Sequence, residues 1–108
     1  MKLYIKSKTK NIDAVCEYDK KTGKFTVLKG SILSEDVASS NTFRGERPIL
    51  KKRSGCVKDN VLLVNKEFSS SSTAANFVKG VSSNGLICWK DKNGKTLKAI
   101  LTEGKNDE

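Results

Sequence analysis

The first 28 residues constrain the fold most, because their apolar positions recur with a period of two. In "LYIKS", Leu3 and Ile5 alternate with Tyr4 and Lys6; in "DAVCEYD", Ala14, Cys16 and Tyr18 share a face; in "KFTVLKG", Phe25 and Val27 do. Successive strand residues point to opposite faces, so this pattern buries one side of a sheet and leaves the other wet. Between the second and third segments, "DKKTGK" places Gly23 where a hairpin loop needs a positive φ. Antiparallel pairing of 14–19 with 24–28 is therefore predicted.

Beyond residue 33 the periodicity weakens. "SEDVASSNTF" is polar, and Pro48 then opens "PILKKRS", which ends at Gly55. Proline at a first helical position and glycine past the end predict a short helix, with Lys51, Lys52 and Arg53 at the negative end of its dipole. The β-branched run "VLLV" predicts a buried strand at 61–64. In "SSSSTAANFVKG", Ser71 or Ser72 can cap a helix over 73–79, Gly80 suits a left-handed terminus, and Ala74, Phe77 and Val78 share one face. Asn84-Gly85 is the preferred pair for a tight hairpin turn, which makes "LICWK" a strand with Leu86 and Cys88 opposite Ile87 and Trp89. "DKNGK" turns again. "TLKAIL" spaces Leu97, Ile100 and Leu101 as a helix does, with a closing strand as the alternative, and 102–108 form a polar tail expected to fray. This order predicts one α+β domain over 1–108: a small, mainly antiparallel sheet with two or three short helices packed on one side.

Composition narrows the chemistry. The 108 residues include no histidine, which removes Ser-His-Asp and Cys-His nucleophiles, His-ligated metals and the commonest general base. The twelve acids form no recognisable catalytic pair. Cys16, Cys56 and Cys88 lie far apart without CxxC spacing, so reduced structural thiols are expected rather than disulfides or a zinc site. No enzyme activity and no cofactor are predicted. No apolar run reaches the roughly 18 residues that span a bilayer, and the N-terminus lacks the ~7–15 apolar residues of a secretory signal. No membrane association is expected, and the cytoplasm is the expected compartment.

The net charge is +9. Residues 1–54 carry 13 Lys and Arg against 6 acids, and residues 55–108 carry 8 against 6. All three arginines, Arg44, Arg47 and Arg53, fall within ten positions beside Lys51 and Lys52. Such a cluster attracts polyanions, and arginine adds bidentate phosphate or guanine contacts. A solvated face kept for solubility is the competing reading.

Between Phe68 and Leu97 the sequence resembles the RAMA-like family of small bacterial domains found with restriction and modification enzymes. The matching positions are Phe68, Ser70, Ser72, Ala74 and Ala75, then Val78 and Gly80, then Ser82, Asn84, Gly85, Trp89 and Lys90, then Gly94, Lys95, Thr96 and Leu97. Upstream, "KFTVLKGSILS" is similar to the family's hairpin with its Gly30-Ser31 step, so the resemblance runs from about Ala14 to Leu101. Two positions depart from it: Ser71 replaces a proline and Leu86 a tryptophan. The resemblance implies a non-catalytic module that recognises DNA, including DNA with methylated adenine, in a restriction or defence context, with a restriction or modification protein as partner.

Several residues have both a structural and a functional reading. Ser70 and Ser72 at a helix mouth serve as caps or as phosphate donors. Asn84 builds a turn or faces adenine, whose N6 and N7 an amide binds bidentately. Trp89 is core or a stacking platform, with Lys90 beside it for phosphate. The nucleic-acid-binding set expected from sequence is therefore Arg44, Arg47, Lys51, Lys52, Arg53, Ser70, Ser72, Asn84, Trp89 and Lys90. The alternative of another class is a protein-interaction or accessory domain whose basic face meets an acidic partner.

Overall fold

The period-two segments form neighbouring strands. In the computed structural model, residues 1–34, 53, 55–81 and 83–106 are described, the last four as helix backbone. The helix expected over 48–54 lies outside them, apart from Arg53. Strands β1 (Lys2–Ser7), β2 (Ile12–Asp19) and β3 (Lys24–Val27) pair antiparallel, with Leu3 opposite Cys16 and Tyr18 opposite Phe25. Gly23 takes φ 74° in the turn, as the hairpin requires. Leu3, Ile5, Ala14, Cys16, Phe25 and Val27 all fall on the buried face.

A fourth strand, β6 (Lys66–Phe68), joins β3 and completes the order β1-β2-β3-β6. Three residues are too few to show a period, so the sequence carried no sign of it. The strand expected at 61–64 is shorter: β4 (Val57–Lys58) and β5 (Val61–Leu62) form a separate two-stranded hairpin. Leu62 is buried, whereas Leu63 and Val64 are exposed. The two residues between β4 and β5, Asp59 and Asn60, take φ 52° and 68°. Positive φ at both central positions is the twist-matched hairpin turn, and short polar side chains tolerate it best.

Segment 28–34 links the two sheets. Ile32 exchanges backbone hydrogen bonds with Asp13 and also bridges to Val61. Ser31 is buried, and its Oγ accepts from the Val15 amide at 3.0 Å while donating to the Val15 carbonyl at 3.3 Å. The hydroxyl thus satisfies β2 where β3 has ended, which no buried backbone group can forgo cheaply.

Among the described residues there are three helices, and the first packs on the apolar face of the sheet. Helix α1 (Ser71–Lys79) is capped by Ser70, whose Oγ accepts from the Thr73 amide at 3.1 Å. The cap is Ser70 rather than Ser71 or Ser72, and the helix starts two residues earlier than the sequence predicts. Gly80 closes the helix at φ 71°, its N–H donating to the Asn76 carbonyl. Ala74, Ala75, Phe77 and Val78 are buried against the sheet, with Phe77 and Phe68 ring centroids 5.1 Å apart.

The expected strand "LICWK" is instead a one-turn helix, α2 (Gly85–Cys88), and Asn84 is its N-cap rather than a hairpin turn residue. The Asn84 Oδ1 accepts from the Leu86 amide at 3.1 Å. Asn-Gly suits both roles locally, and tertiary packing selects the helix. A Cβ on Gly85 would overlap the Ser71 backbone, so α1 and α2 approach too closely for any other residue. The Gly85 amide also donates to Ser72 Oγ at 3.1 Å. Helix α3 (Leu97–Asn106) resolves the ambiguity over "TLKAIL" and continues through most of the tail expected to fray. Thr96 Oγ1 accepts from the Ala99 amide at its start.

Gly85→Ala should therefore destabilise the fold by about 3 kcal/mol, the upper range for overpacking, because backbone rather than a flexible side chain must move. Urea titration checks it; a loss below about 0.5 kcal/mol, within the range of neutral surface changes, would contradict the close packing.

Candidate nucleic-acid interface

Of the residues expected to bind nucleic acid, Arg44, Arg47, Lys51 and Lys52 lie outside the described residues. The structure places the others in three locations. Ser70, Ser72, Asn84 and Trp89 meet at the junction of α1 and α2, where their polar atoms are engaged internally. Ser70 caps α1, Ser72 holds the Gly85 amide, and Asn84 caps α2. Trp89 is wholly enclosed and its Nε1 donates to the Ser71 carbonyl at 3.0 Å. Its indole is packed in the core and presents no face for stacking.

Arg53 is similarly committed. Its Nε donates to the Phe77 carbonyl at 3.0 Å, Nη1 to the Ser34 carbonyl at 3.0 Å, and Nη2 to Ser34 Oγ and the Phe77 and Val78 carbonyls. The last carbonyls of an α-helix have no partner within the helix. A guanidinium, with five donors in a rigid fork, satisfies those of α1 and ties them to segment 28–34. Burial lowers the Arg53 pKa below its usual value.

Lys90 lies apart from both. It exchanges backbone hydrogen bonds with Tyr4, 2.7 Å from the Tyr4 amide to the Lys90 carbonyl and 3.1 Å in return. Beside this bridge a cleft of about 650 Å³ opens between β1, the C-terminal end of α1, α2 and the turn at 91–94. Lys6, Lys10, Lys79, Lys90 and Lys92 line it, with Asp91 the single acid among the described lining residues. Tyr4, Ile5, Ile12 and Ile87 supply its apolar walls.

The charge of the cleft is poorly neutralised. The Asp91 carboxylate accepts from the Asn93 and Lys95 amides, both at 2.9 Å, and so shapes the turn. Among the described residues, none of the five lysines forms an ion pair. Lys6 Nζ lies 5.4 Å from the Tyr4 ring centroid, and Lys79 Nζ is 3.6 Å from Cys88 Sγ. Sequence reasoning missed Lys6, Lys10, Lys79 and Lys92. They are spread over 87 positions and follow no common period, so only the alternation of Lys6 with Ile5 hinted that one would be exposed.

The thiols divide by burial. Cys16 is enclosed in the core, and its pKa is pushed up to about 12 by burial and then by the neighbouring Glu17 charge. Cys56 and Cys88 are half-buried. Among the described residues, no group of His, Cys, Asp and Glu is arranged to hold a metal ion, and no helix is long and apolar enough to cross a membrane.

Two measurements test these assignments. Arg53→Lys keeps the charge but loses the fork, and it should cost about 2 kcal/mol, as for a lost set of charge-assisted hydrogen bonds; an unchanged melting temperature would remove the helix-capping role. Cys16 ionises more easily unfolded than folded, so its contribution to stability is complete below pH ~9 and falls as pH rises toward about 12. Native thiol labelling at pH 8 should accordingly spare Cys16 until the chain is unfolded, and rapid modification there would refute its enclosure.

No curated protein and no solved structure matches the chain. Residues 3–101, nearly the whole sequence, match the family described as Domain of unknown function (DUF4357), and the chain belongs to that family.

Proposed function

We propose that this chain is a non-catalytic, cytoplasmic DNA-binding module whose interface is the lysine-lined cleft. The observation that carries the reading is the convergence of Lys6, Lys10, Lys79, Lys90 and Lys92 on one concavity, with a single acid among its described lining residues. Like charges gathered in one concavity repel one another and raise the local potential, and a polyanion relieves both effects. Phosphates release condensed cations as the lysines replace them, so affinity arises largely from the salt that leaves. The resemblance to the RAMA-like family supports the same ligand class.

In this reading the helix-capping residues and the cleft lysines have different work. Ser70, Ser72, Asn84, Trp89 and Arg53 hold the helices that frame the cleft, and the lysines contact phosphate. Any preference for methylated adenine then resides in the cleft walls rather than at the indole. Arg44, Arg47, Lys51 and Lys52 would add phosphate contacts of the same nonspecific kind.

Duplex DNA should bind at 50 mM salt and lose about 10²-fold or more in affinity by 200 mM if four or five phosphates are engaged. Lys10→Ala and Lys92→Ala should each weaken binding for all sequences and reduce the slope of log K against log salt by about 1. Fluorescence anisotropy across that salt range measures both. Binding that ignores salt and these substitutions would remove the cleft as the interface and favour an acidic protein partner elsewhere.

A further inference from the structure

One strand edge opens into the cleft. In an antiparallel strand the N–H and C=O of one residue point to the same side, and the side alternates along the chain. Tyr4 directs both groups away from β2, since both bond Lys90. Lys6, two residues on, therefore points its own N–H and C=O the same way, into the cleft that its residue lines. Strand β2 agrees from its side. Asp13, opposite Lys6, gives its N–H and C=O to Ile32 at 3.0 and 2.8 Å, and Val15, opposite Tyr4, bonds Ser31 and Leu28. Lys90 has no successor on this edge, because the chain turns away at Asp91 into the loop closed by Gly94. The Lys6 amide and carbonyl have no partner among the described residues.

We infer that this open edge, resting on the DNA-binding reading above, receives the pairing edge of an unpaired nucleotide, so that the cleft binds single-stranded nucleic acid in preference to duplex. The Watson–Crick edge of every base offers an adjacent donor and acceptor, which matches a backbone N–H and C=O side by side. In a duplex those groups are already paired. A cleft of about 650 Å³ admits a base and its sugar, within the roughly 300–1,000 Å³ usual for sites that enclose a small organic group. Tyr4 and Ile87 offer apolar surface to the base, Ile87 being 52% exposed. The surrounding lysines meet the flanking phosphates. Because the backbone does the reading, little discrimination among the four bases is expected.

The test compares three dye-labelled probes by anisotropy at 50 mM salt: a mixed-sequence single strand of about 12 nucleotides, the same strand with abasic sites throughout, and its duplex. The single strand should bind at least about tenfold tighter than either of the others, the worth of one stacked and hydrogen-bonded base. Lys6→Pro, which deletes an N–H the sheet does not use and is therefore tolerable at an edge, should lose this preference beyond the loss caused by Lys6→Ala. Equal binding of all three probes would overturn the inference and leave the DNA-binding reading standing. Absence of binding by any probe would overturn both. A poly-glutamate peptide of matched charge binding as tightly as the single strand would assign the edge to an acidic peptide strand instead, and would also overturn it.

Discussion

The contact on which the rest depends is the approach of Gly85 to the backbone of Ser71. There the first turn of α1 meets the first turn of α2 with no side chain between them. Two hydrogen bonds secure it, from the Gly85 amide to Ser72 Oγ and from Trp89 Nε1 to the Ser71 carbonyl. Both use polar groups that would otherwise be buried without partners, so the junction is specified by polar satisfaction as much as by shape. The buried indole then fixes where the chain leaves α2. Lys90 follows at once and pairs with Tyr4.

This chain of dependence connects core packing to the cleft. The Tyr4 bridge attaches the end of α2 to the edge of the sheet, and the turn at 91–94 then departs from that edge. Asp91 holds the turn through the Asn93 and Lys95 amides, and Gly94 at φ 85° closes it. The space left beside β1 is the cleft. Its lysines come from the strand, the β1–β2 connection, the end of α1 and the turn, and each lies where its own element placed it for local reasons. Lys79, for example, is also a favourable cation in the last turn of α1. A concentration of charge can thus arise from residues whose positions are set separately by their own elements.

The opposite end of α1 shows the same economy. Arg53 satisfies carbonyls of the last turn and draws Ser34 to them, which fastens segment 28–34 against the helix. That segment also closes β2 through Ser31 and Ile32. Sheet, hairpin and helix are therefore joined by side chains that satisfy backbone groups. Ion pairs contribute little: the two among the described residues are exposed, and such pairs typically add less than about 1 kcal/mol.

Strands β1 to β3, helix α1 with its buried face and glycine stop, and the α+β class were legible along the chain, because period and turn chemistry are local properties. The sequence also determined an excess of positive charge. It could not distinguish Asn84-Gly85 as a hairpin turn from the same pair as a helix start, since a short polar side chain serves both and a following glycine is compatible with either. Proximity to Ser71 decided that, and with it the conversion of "LICWK" from strand to helix. The roles of Trp89 and Arg53 were likewise open to sequence: an indole or a guanidinium suits a ligand or a buried backbone carbonyl equally well. Only the tertiary structure brought those carbonyls within reach. It also assembled five lysines from distant elements, because charge proximity across a fold depends on how elements pack and has no period along the chain.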